Sequence, residues 1–487
     1  MPFPTQPQSA CLPPAQARAA PGRRVFLAQA LATAGLLTLA PARALSAVAT
    51  LLVPNFSGLN TVEVARIATA TSTAEVADTV RTWPGKIAVG GARYSMGGQV
   101  ALRGALHLDM RGMNQLVWLR AADKAVRVQA GMRWRDLQEV LDPLDLAVKT
   151  MQTYSNFTVG GSVSVNAHGR YVGHGPLGNT VRALQLVLAD GLVVEASREE
   201  RADLFRAAIG GYGAVGVITE VELDLADNVR IEREVAEVGL ADYLPFFDQR
   251  VLADPDCVLH NADLMPPHFD KPSCTTWRKS AKPLTQARRL VPRGQAYGAE
   301  KTAIWVASGL PFLRRTVLQP LYKSGRPVTW LNHEASLDAT QVEPLNRRYY
   351  SYVLQEYFVP RRHFLAFAQA LGETLSKRGL GAINISIRHS PADRVALLPW
   401  AKEEVFAFVL YYKQEGNARA SEQVGAWTRE LVDLALRHEG RYYLPYQCHA
   451  TRAQFEQTYP EAARLREIKR EVDPAGRFSN EMWDRYL

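Results

Sequence analysis

Apolar and polar positions change their period several times along the chain, and each change marks an element. Ser72-Thr73-Ala74-Glu75 fits a capping box, and Val76, Val80 and Trp83 follow on one helical face until Pro84-Gly85 ends the pattern. Ile87-Ala88-Val89 then reads as a short buried strand, and further strands are predicted at Ala105 to Met110, Leu116 to Leu119 and Ala125 to Ala130. Trp134, Leu137 and Leu141 share the face of a second helix. VRALQLVLADGLVVEAS reads as two apolar strands turned at Asp190-Gly191. A helix follows around Asp203-Leu204-Phe205, and then the strand GVITEVELDL. Beyond residue 228 the strand candidates Ile383 to Ile387 and Val405 to Tyr411 alternate with helices at 362–378 and 421–437. The expected class is α+β: two α+β subdomains over 55–228, an antiparallel α+β substrate (cap) domain over 229–439, and a closing segment over 440–487.

The connections between these elements are richer in glycine than simple reversals require. Residues 86–98, KIAVGGARYSMGG, run from a strand into two glycine pairs, where backbone N–H groups can converge and a ligand can approach closely. A phosphate-binding nest and an ordinary loop both remain open at this point.

Composition adds bounds. The chain has 487 residues, 47% of them hydrophobic, enough for two or three domains with a large core. The formal charge is +9, but Arg18, Arg23, Arg24 and Arg43 fall in a start without acids, and the remainder carries only +5. No basic run is interleaved with aromatics, so a nucleic-acid partner has no support. PGRRVFLAQALATAGLLTLAPARALSA predicts a removable signal peptide over residues 1–47, with Arg23-Arg24-Val25-Phe26-Leu27 resembling a twin-arginine export signal. The expected location is therefore exported and periplasmic, with the export machinery as a partner and no stable membrane span in the mature protein. The four cysteines have no metal-ligand spacing, and a Cys257–Cys274 disulfide is permitted but not required.

Three glycine segments, VGGARYSMGG, VGGSVSVNAHG and GGYGAVGVIT, occur in order, and the chain closes with DPAGRFSNEMW. This set resembles the PCMH-type FAD-binding domain of the vanillyl-alcohol oxidase superfamily, nearest its aldonolactone, alditol and decaprenylphosphoryl-ribose oxidases. The resemblance implies an FAD-dependent oxidoreductase acting on the CH–OH group of a sugar-, polyol- or lactone-like small molecule by hydride transfer to flavin N5. Dioxygen or another acceptor would reoxidise the flavin. It implies a pyrophosphate cradle at Gly90, Gly91, Ala92, Arg93, Tyr94, Ser95, Met96 and Gly97. The second loop would pass along the flavin with Val159, Gly160, Gly161, Ser162, Ser164, Asn166, His168 and Gly169. Val217, Ile218 and Asn480 complete the set. Many members bond the flavin to a histidine at the place of Tyr94, so tyrosine here implies non-covalent FAD.

On the substrate side, QEYFVP and ISIRHSPAD resemble two strands of the sugar-oxidising relatives and bring forward Glu356 and Arg388. Ser386 stands where those relatives have glutamate, and Tyr443-Leu444-Pro445-Tyr446-Gln447 lacks their lysine. Tyr446, Gln447 acting through a water, and His449 all stand as candidate proton acceptors, Tyr446 only if Arg388 lowers its pKa. Two alternatives stay open: a dehydrogenase for a bulkier or aromatic alcohol, its pocket lined by Tyr349, Tyr350, Tyr352, Tyr357, Trp400, Tyr411 and Tyr412, and a flavin-binding protein that has lost catalysis.

Overall fold

A computed structural model describes residues 50–310 and 325–487. The leader expected over 1–47 lies outside the described residues. Residues 50–487 form one compact unit built on three main sheets.

The first sheet is small and parallel, with Leu106–Asp109 between Arg66–Thr69 and Ile87–Gly90. The helix Thr73–Thr82 packs Val76, Ala77 and Val80 onto it. Ser72 caps that helix by accepting from Glu75 N, while the Glu75 carboxylate reaches back to Thr71 N at 2.8 Å, so the box closes one residue earlier than its sequence suggests. The closing segment adds itself to this sheet: Ile87 N donates to Arg477 O at 2.7 Å and Ser479 N to Ile87 O at 3.0 Å. Asp473 holds the turn by accepting from Arg477 N and Phe478 N, both at 2.8 Å.

The second sheet is antiparallel, in the order Val193–Ser197, Val181–Val187, Val217–Asp227, Ala125–Gln129, Leu116–Arg120. Its first two strands form the hairpin expected at Asp190-Gly191, where Gly191 takes φ +84°. VGGSVS, expected as a loop, is instead the helix Val159–Ser164. Two adjacent glycines disfavour a helix locally, but here they admit a neighbouring backbone: a Cβ on Gly160 would lie 2.5 Å from Ala130 Cβ.

From Arg230 onward the chain builds an eight-stranded antiparallel sheet. Its order is Val328–Trp330, Arg230–Glu237, Ser273–Lys279, Cys257–Leu264, Ala382–Ser390, Val405–Glu415, Tyr350–Pro360, Arg441–Tyr442. Helices Phe364–Lys377 and Ala418–Arg437 bury Phe364, Phe367, Leu371, Trp427 and Leu431 with Ile385, Ile387, Phe406, Phe408 and Leu410 of the sheet. Strand alternation then turns Glu356, Arg388 and Val409 to the opposite face. Cys257 and Cys274 sit on adjacent strands out of register and are free thiols.

Candidate active site

A cleft runs between the glycine segments and that polar face of the large sheet. Gly91 through Met96 line one end, followed by Gly160, Gly161, Ser164, His168, Tyr212, Gly213, Gly216 and Ile218, and then Leu354, Glu356, Arg388, Val409, Tyr443 and Tyr446. Residues from all three glycine segments, far apart in sequence, thus share one cavity.

The first loop is built as a cradle. Strand Ile87–Gly90 delivers it, and Arg93 takes the left-handed conformation, φ +63°, fixed by an ion pair with Asp109 at 2.8 Å and by Phe56 N donating to Arg93 O. Backbone N–H groups of Ala92 to Ser95 have no acceptor among the described residues. A Cβ on Gly91 would lie 2.2 Å from Thr158 Oγ1, so only glycine fits there. The buried hydroxyls of Thr153 and Thr158, both on the wall, and Arg93 Nε have no hydrogen-bond partner among the described residues. Unsatisfied buried donors around a glycine-lined cleft fit a long polyanionic ligand such as FAD. Tyr94 stacks on Phe157 with centroids 4.3 Å apart and touches Phe56, while burial, reinforced by Asp338 and Glu343, pushes its phenol up to about 12.

Several expected residues support this wall from behind. Gly90 gives room to His107, Gly97 to Tyr446 O, and Gly169 to Met151 O. Val159 and Val217 are core. Ser162 bonds Thr158 O, Trp134 and Gln152. Asn166, at φ +48°, accepts from Gly178 N and donates to Asp393. Asn480 caps the last helix, Glu481–Tyr486, and donates to Tyr212 O at 2.9 Å, so it positions the third glycine segment. Gln99, which sequence reasoning passed over, ties the first loop to the closing segment: it accepts from Gly97 N and donates to Leu444 O and Tyr446 O.

At the far end Glu356 is 3% exposed. Tyr446 donates to its Oε2 at 3.1 Å, and His168 Nε2 stands 2.5 Å from Oε1, a close approach without the angle of a hydrogen bond. Trp400, Phe358 and Tyr443 box the His168 ring. Tyr446 does not become a base: burial first, then Glu356 and Tyr443, push its pKa well above the usual phenol value, and Arg388 does not offset them. Gln447 turns away from the cleft and donates to Gln414 at 2.7 Å; His449 contacts Gln447, and burial with Arg429 and Arg485 nearby pushes its pKa down to about 4. Arg388, on the wall, makes no hydrogen bond or ion pair with the described residues, and its buried Nε is unpartnered. Of the aromatics suggested for a bulky pocket, Tyr352, Tyr357, Trp400 and Tyr412 are core and Tyr349 is exposed; the ring-bearing wall is Tyr94, Tyr154, Phe157, Tyr212, Tyr443 and Tyr446.

Comparison with known proteins fits this geometry. Residues 64–197 match the family described as FAD binding domain, and 264–486 match D-arabinono-1,4-lactone oxidase. An L-gulonolactone oxidase of Mus musculus is 24% identical over 410 residues, covering 81% of this chain and 88% of its own. An alditol oxidase of Streptomyces sp. is 39% identical over 102 residues, 21% of this chain and 24% of its own. The chain belongs to the vanillyl-alcohol oxidase superfamily. Within it, the chain falls on the aldonolactone and alditol oxidase side, its cofactor is FAD, and it is an oxidoreductase acting on CH–OH donors. The glycine segments line one wall of the cleft, and the large sheet lines the wall facing them.

Proposed function

We propose that this protein oxidises a secondary or primary hydroxyl of an alditol or aldonolactone, with FAD held non-covalently. The observation that carries the reading is the placement of Glu356 and Arg388 on one sheet face, on strands to either side of Val405–Glu415, where both line the flavin-binding cleft. Bound FAD supplies the hydride acceptor at N5. The chain's own residues supply the rest. Ala92 to Ser95 and Thr158 hold the phosphates, and Tyr94, unlike a histidine, leaves the ring unbonded. Glu356 accepts the hydroxyl proton: its carboxylate is buried on the cleft wall, with Tyr446 at Oε2 and His168 beside Oε1. Tyr446 and His168 fix the carboxylate's orientation. Arg388 offers unpaired donors to the substrate oxygen and to negative charge on the reduced ring.

The missing lysine is thereby replaced by a carboxylate. Glu356→Gln keeps the shape and removes the base. With FAD content unchanged, its anaerobic rate of flavin reduction by substrate is expected to fall about 10²- to 10⁴-fold. A wild-type reduction rate in that variant would remove Glu356 from the proton transfer.

A further inference from the structure

The polar face of the large sheet extends past the residues used above. Alternation along Ala382–Ser390 places Asn384, Ser386 and Arg388 together, with Ile385 and Ile387 turned into the core. Register sets Asp263 directly opposite Ser386, and Asn261 lies two residues back on the same face, paired with Thr275. Asp263 is 8% exposed. Its Oδ1 accepts from Asn384 Nδ2 at 2.9 Å, its Oδ2 from Asn261 Nδ2 at 3.0 Å, and the Ser386 hydroxyl bonds it as well.

Arg388 is diagonal to Asp263 across one strand boundary, a spacing of about 7–8 Å that long side chains cross easily. Yet no salt bridge forms between them among the described residues, and the guanidinium stays unpaired. Asp263 thus stands on the same sheet face as Arg388, just behind the residues that line the cleft, and its charge reaches Tyr154 on the cleft wall. Each Asp263 oxygen retains acceptor capacity after its amide bond. A gap flanked by a braced carboxylate and an unpaired guanidinium suits a ligand with several hydroxyls. A monohydric alcohol would leave both groups desolvated and unmet.

We propose that Asp263, braced by Asn261, Asn384 and Ser386, is the specificity residue that holds the hydroxyls of a neutral polyhydroxylated substrate beyond its reacting carbon, with Arg388 across the same gap. This rests on the alditol or aldonolactone reading above. Burial pushes the Asp263 carboxyl up to about 6, so it is an acceptor in neutral solution.

Anaerobic flavin reduction by xylitol, by L-gulono-1,4-lactone and by 1,2-pentanediol, which lacks the distal hydroxyls, separates the outcomes. In Asp263→Asn holoenzyme the half-saturating concentration of the polyol or lactone that reduces wild type is expected to rise about 10- to 100-fold. The limiting rate, the FAD content and the half-saturation for the diol should stay within about threefold. Ser386→Ala, which removes one brace and keeps the carboxylate, should show a smaller loss of the same kind and covers the case in which Asp263→Asn does not fold. If both variants keep wild-type affinity, or if Ser386→Ala does so when Asp263→Asn does not fold, the assignment is overturned while the enzyme reading stands. If neither polyol nor lactone reduces wild type, the enzyme reading fails and the assignment falls with it.

Discussion

At Gly91 the backbone passes so close to Thr158 that any side chain would enter the hydroxyl's space. Gly91→Ala must therefore push the cradle away from the phosphates, and overpacking of this kind costs about 1–3 kcal/mol. FAD retention after gel filtration should fall by about 10- to 100-fold in affinity, with acid releasing all of the remaining flavin from the protein. Full retention would separate Gly91 from the cofactor. From this loop alone a phosphate nest and an ordinary loop both stayed open, and it was the order of the three glycine segments with the closing motif that pointed to a cofactor. For Glu356 the sequence brought the residue forward within QEYFVP as a catalytic candidate or an arginine's partner, but only the fold sets His168, Tyr446 and the cleft around it. Tyr446 as a proton acceptor was conditional on Arg388 lowering its pKa, and sequence shows the nearby arginine and not the burial that outweighs it.

Among elements, hydrophobic period recovered those strands and helices whose own pattern is complete, because alternation and helical faces are local properties. Val181–Val187 with Val193–Ser197 and the helix Ala418–Arg437 are examples. The Val159–Ser164 helix escaped because two adjacent glycines disfavour it locally, while the contact they permit, Gly160 N donating to Ala130 O just after the strand Ala125–Gln129, exists only in the folded protein. The closing segment shows the reverse: its motif was readable, but its work is structural. Asn480 stands behind the cleft, joining the last helix to Tyr212, whose backbone takes φ +50°. Asn480→Ala removes the cap and leaves Tyr212 O unpaired, at a cost of about 1–3 kcal/mol. A lower denaturation midpoint with weakened FAD binding is expected; a change in neither would show that the closing helix is held by its apolar contacts alone.

For the whole molecule, histidines whose pKa burial lowers shape the response to acid, His107, His260 and His449 most strongly and His174, His333 and His389 in the same direction. Burial is the leading cause that pushes His107 to about 4, His260 to about 3 and His449 to about 4, so the folded protein keeps them neutral. Unfolded histidines titrate near about 6.5. Between those values the unfolded chain binds more protons, and stability falls as pH drops. Asp263, raised to about 6, opposes this, and so does Asp393, which burial also raises, since both take their protons earlier when folded. The net expectation is a loss on the order of a few kcal/mol between about pH 7 and pH 4.5, measured by denaturant titration. Constant stability over that range would mean that the histidines are hydrated in solution. No helix among the described residues is long and apolar enough to cross a membrane.

The central claim, a flavin that accepts hydride from a polyhydroxylated substrate in this cleft, meets its most direct test in one anaerobic titration. Purified protein, yellow with bound FAD, is mixed without oxygen with alditols and aldonolactones while the visible flavin absorbance is followed. The account predicts full bleaching by at least one of these compounds and recovery of the colour when an electron acceptor is admitted. A flavin that none of them bleaches, or a protein that cannot be loaded with FAD, would contradict it.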